Sequence, residues 1–70
     1  MATGYEIDER EFASLFDDPR TAQRLRRALR DWRLELDLSD PASVHSVHAA
    51  IQGAPERQRA VYQIAMDLWR

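Results

Sequence analysis

The chain has no cysteine, no lysine and only two glycines in 70 residues. Without cysteine there is no disulfide framework and no thiolate zinc site, which fits a reducing compartment such as the cytoplasm. Gly4 and Gly53 are too few and too far apart to form a phosphate-cradling loop. No apolar run approaches the roughly 18 residues of a membrane span. The opening Met1-Ala2-Thr3-Gly4-Tyr5-Glu6 has neither the basic leader nor the apolar stretch of a signal peptide. Catalytic patterns are also missing. Ser14, Ser39, Ser43 and Ser46 sit in no nucleophile elbow, and helix capping accounts for the Asp17/Asp18 pair. The expectation is therefore a chain with no enzymatic activity, no cofactor and no small-molecule substrate, and no membrane contact.

What is present is arginine. All ten basic residues are arginines, and six of them fall between Arg20 and Arg33. Guanidinium is a planar, permanently charged fork that pairs with carboxylates and phosphates and stacks on aromatic rings. Charge is unevenly spread along the chain. Residues 1–18 carry six acids against Arg10, residues 19–33 six arginines against Asp31, and residues 34–70 five acids against three arginines, for a net charge of −2. The simplest consequence would be an acidic first segment folded against a basic second one.

The hydrophobic fraction of 44% is enough for one core and argues against disorder. A chain this short forms one domain, 1–70, with 1–7 expected as a flexible N-terminal segment. Its pattern is helical throughout. Asp8 with Glu11 three residues on makes a capping box, and Ile7 with Phe12 a hydrophobic staple, predicting a short helix over about 9–16. Asp18-Pro19 opens a second helix. There Ala22, Leu25, Leu29, Trp32 and Leu36 recur at steps of three and four, and the arginines occupy the opposite half. Leu34 would fall among the arginines. Either the helix ends near Arg33 or Leu34 is an exposed contact residue. The alternation over 34–38 also suits a strand, but a lone strand would be unstable, so a fraying end and loop is expected.

Asp40-Pro41 opens a third helix to Gln52, with Val44, Val47 and Ile51 inward and Ser39 as a further cap candidate. Gly53 suits a left-handed terminator. Ala54-Pro55 opens a fourth helix carrying two apolar stripes, one of Val61, Ile64, Ala65 and Leu68, the other of Tyr62, Met66 and Trp69. Its polar edge is narrow, which predicts a helix central to the bundle or buried against a partner. The fold expected is all-α, a compact bundle of about four short helices.

Two surfaces are candidates for binding. Arg26, Arg27, Arg30 and Arg33 could hold the carboxylates of an acidic protein surface. Tyr62, Met66 and Trp69 have the composition of interface anchors, for a foreign partner or for a homodimer. These features predict a small protein–protein interaction module, an adaptor or an inhibitor-type binder. A DNA- or RNA-binding regulator using the same arginines is the first alternative, with Ser43, His45, Ser46 and Gln52 on the third helix as groove readers. A structural subunit of an assembly is the second. The His45/His48 pair shares a helix face but has no third ligand nearby, and reads as ordinary helix surface and core edge.

Overall fold

Three of the four α-helices start at a proline, and each proline fixes the residue before it. Pro19, Pro41 and Pro55 stand in the first helical turn, where a missing N–H leaves no bond unmade. The preceding Asp18, Asp40 and Ala54 are extended (ψ 123°, 107° and 109°), as the proline ring requires. That is the backbone geometry of an N-cap. Asp18 then accepts from the Thr21 N–H at 2.9 Å, and Asp40 from the Ala42 N–H at 3.0 Å.

The computed structural model describes residues 4–70. Its elements are α1 (Glu9–Ser14), a 3-10 turn (Leu15–Asp17), α2 (Pro19–Asp31), α3 (Pro41–Gln52) and α4 (Pro55–Trp69), with no strand among the described residues. The protein is an all-α bundle. The Asp8/Glu11 capping box is formed, with the Glu11 N–H donating to Asp8 Oδ1 at 2.7 Å and the Asp8 N–H to Glu11 Oε1 at 3.3 Å. α1 stops at Ser14, short of the expected residue 16, and tightens into the 3-10 turn.

α4 packs on both α2 and α3, and α3 also receives α1. One core runs through the molecule. It comprises Ile7, Phe12 and Leu15 from the N-terminal part, Leu25 and Leu29 from α2, Val44, Val47 and Ile51 from α3, and Val61, Ile64 and Ala65 from α4. The Cα radius of gyration is 11.0 Å, close to the value for a compact chain of this length. Of the segment 1–7 expected to be flexible, residues 1–3 lie outside the described residues. Ile7 is buried in the core, and the Tyr5 ring meets Tyr62 edge-on with centroids 5.1 Å apart.

α3 ends at Gln52 and α2 close to Arg33, as expected, but the conformations that close them differ from expectation. Gly53 has φ −79°, a right-handed cap and not a left-handed one. Pro55 holds Ala54 extended and so ends α3 without any left-handed residue. The left-handed residue is Arg33, at φ 58°. Around it the Arg33 N–H bonds the Arg30 carbonyl at 3.0 Å and the Leu34 N–H bonds the Leu29 carbonyl at 2.9 Å. This is a Schellman ending, built with an arginine where glycine is usual. It closes α2 at Asp31 and turns Leu34 back onto the core, so Leu34 is half-buried and not an exposed contact residue. Leu34 and Leu36 then point inward while Glu35 and Asp37 face solvent. The period-2 pattern holds over residues 34–37 and breaks at Leu38, which is 40% exposed, and among the described residues it has no partner strand.

Candidate functional site

α2 buries Thr21, Leu25 and Leu29 and turns its long cationic side chains away from them. At 100° per residue, Arg24 falls at one edge of the exposed arc, Arg27 and Arg30 near its middle, and Arg26 at the other edge. Arg24 reaches α4, its Nη1 lying 2.9 Å from Asp67 Oδ2. Arg26 lies over the Phe16 ring, Cζ to centroid 5.4 Å. The side chains of Arg27, Arg30 and Arg33 have no hydrogen-bond, ion-pair or ring partner among the described residues.

The acids do not neutralise this face. Among the described residues Arg24–Asp67 is the only arginine–carboxylate pair within 4.0 Å. Even Asp31, one turn from Arg27, is not paired with it. Four of the six carboxylates of the first segment are used elsewhere. Asp8 and Glu11 cap α1, Glu9 Oε1 lies 2.7 Å from His45 Nδ1, and Asp18 caps α2. Hydrogen bonds from the Thr21 N–H and hydroxyl hold the Asp18 carboxyl below its ordinary pKa.

The predicted arginines are brought together. Arg26, Arg27 and Arg30 share one shallow concavity with Ala22. Arg26, Arg30 and Arg33 rim a second, of about 350 Å³, floored by Leu29 and Leu34 with Glu35 at its edge. The α4 stripe is less uniform. Tyr62 is half-covered by Tyr5, Met66 is half-buried, and Trp69 is 46% exposed. Tyr62 and Met66 line a concavity with Arg24, Arg59 and Arg70. Arg24 also lines the one that holds Arg27. The basic face and the α4 stripe therefore meet at the Arg24–Asp67 pair.

Several working contacts leave no mark in the sequence. Arg57 lies over Trp32 at 5.7 Å and Arg59 over Tyr5 at 5.7 Å. Such cation–π contacts contribute about 0.5–1 kcal/mol each at exposed sites. His48 Nε2 lies 2.6 Å from the Ile7 carbonyl, so the two histidines of α3 tie down the N-terminal part instead of sharing a ligand. Among the described residues no cluster of three metal-ligating side chains exists. Of the four residues named as groove readers, Ser43 accepts from the Asp37 N–H, His45 faces Glu9, and Gln52 accepts from Gln58. Ser39, a cap candidate, instead donates to Asp37 Oδ1, and this helps hold the Asp37 carboxyl below its ordinary pKa. Asp40 is the cap. Among the described residues no helix is long and apolar enough to cross a membrane.

Comparison of the chain with protein-family models, with curated proteins and with solved structures gives no match.

Proposed function

We propose that this chain is a small non-enzymatic protein-interaction module of the cytoplasm, an adaptor or inhibitor that docks the outer face of α2 on an acidic protein surface. The observation that carries this reading is that the side chains of Arg27, Arg30 and Arg33 stand on one face without a partner. A row of uncompensated guanidiniums costs like-charge repulsion, about 0.2–0.5 kcal/mol for a pair four apart such as Arg26 and Arg30. A carboxylate-bearing partner would relieve that repulsion, and a planar fork can hold each carboxylate with two parallel bonds. Leu29 and Leu34 floor the concavity between three of these arginines, so an acidic segment carrying an apolar side chain suits it best. Across the Arg24–Asp67 seam, Tyr62, Met66 and Trp69 offer apolar anchorage.

The test is fluorescence anisotropy with a labelled peptide of alternating glutamate and leucine, and with a non-specific DNA duplex. Binding of the peptide, weakened more than about tenfold by Arg27→Glu/Arg30→Glu with helicity retained, is the expected result. Binding to the duplex alone, falling steeply as salt rises, would instead favour the nucleic-acid reading.

A further inference from the structure

The chain carries both halves of a complementary pair and does not join them. Residues 6–18 hold six acids against one arginine, and residues 19–33 hold six arginines against one acid. Adjacent segments of such opposite charge would be expected to pair their charges, yet among the described residues no carboxylate of 6–18 lies within 4.0 Å of an α2 arginine. The 3-10 turn does pack on α2, with Arg26 over the Phe16 ring, but α1 itself packs on α3. α1 is fixed there by buried Ile7 and Phe12, by the His48–Ile7 bond and by the His45–Glu9 pair. Glu6, Asp8, Glu11 and Asp17 remain exposed along α1 and its flanks.

Resting on the reading of α2 as a docking face, we infer that its acidic partner is the α1 face of a second copy of this chain. Glu6 and Asp17 of the acidic segment have no partner among the described residues, and neither do the side chains of Arg27 and Arg30 at the middle of the basic arc, so each face holds charge that the other can pair. Because each copy offers both faces, a two-fold axis would form the contact twice and close a dimer. Without that axis the copies add head to tail. Exposed pairs contribute little singly, so the association is weak and salt-sensitive.

Sedimentation of the whole chain tests this. At roughly millimolar protein and about 0.05 M salt, the weight-average mass should rise from 8.2 kDa to twice that or more, and return towards the monomer at about 0.5 M salt. Arg27→Glu/Arg30→Glu takes residues 19–33 from a net +5 to +1, and Glu6→Arg/Asp17→Arg takes residues 6–18 from −5 to −1. None of these four side chains has a partner inside the chain among the described residues, so circular dichroism should be unchanged. Each variant alone should stay monomeric, and an equimolar mixture should form a one-to-one complex, since the acidic α1 of one fits the basic α2 of the other. A wild-type chain that is monomeric throughout, or variants that associate as the wild type does, would overturn the inference. The glutamate–leucine peptide separates the two levels. A monomer that binds it loses only the second copy as partner, whereas a monomer that ignores it loses the docking face as well.

Discussion

Arg33 occupies a backbone region that suits glycine, at φ 58°. The left-handed conformation costs an ordinary residue roughly 1–2 kcal/mol, partly offset because glycine loses more freedom on folding. Arg33→Gly should therefore stabilise the fold by about 0.5 kcal/mol in urea unfolding, while weakening peptide binding. Equal or lower stability would mean the strain is absent. The sequence points to Gly53 for this conformation because glycine adopts it cheaply. The requirement that Leu34 turn back onto the core decides otherwise, and it is tertiary. Asp18 makes a second prediction. Its folded pKa is lowered from 3.8 by the Thr21 hydrogen bonds, so its contribution is complete above the unfolded value and fades as pH falls through the folded one. In thermal melts from pH 7 down to about pH 2, wild type should lose more stability below about pH 4 than Asp18→Asn, which keeps a capping oxygen but has no charge to lose. Parallel curves would contradict this.

Helix starts were legible, and so was the end of α3 at Gln52, but the backbone conformation that closes α2 and α3 was not. Asp8, Asp18 and Asp40 act within three residues, so their pattern survives in the sequence. What fixes the elements to each other does not. The His48–Ile7 bond joins residues 41 apart in the chain, and the His45–Glu9 pair residues 36 apart. No periodicity encodes either, and an H-x-x-H pair suggests a metal more readily than two tethers. Breaking the inner tether should loosen α1 selectively. His48→Ala should cost about 1–3 kcal/mol, because the Ile7 carbonyl loses its partner and the Phe12 ring a neighbour. Hydrogen exchange should then quicken in α1 before it does in α4. Uniform quickening would show that α1 is not a separately anchored element.

At the scale of the whole molecule, the central place of α4 was visible in its wide apolar circumference, and it does contact both α2 and α3. The second stripe was harder to judge, because Tyr5 covers Tyr62 from 57 residues away while Trp69 is left 46% exposed. The arginine arc was visible from helical periodicity alone. That the acids of residues 6–18 leave it unpaired was not, since it follows from where α1 docks. The proposed function requires that the guanidiniums of α2 serve something outside the chain's own fold. Neutralising the two at the centre of the arc tests it most directly. For Arg27→Gln/Arg30→Gln, a urea midpoint equal to or above the wild-type value, with glutamate–leucine peptide binding lost, is the predicted result. A lowered midpoint with binding intact would show that those charges hold the bundle together and do not reach out from it.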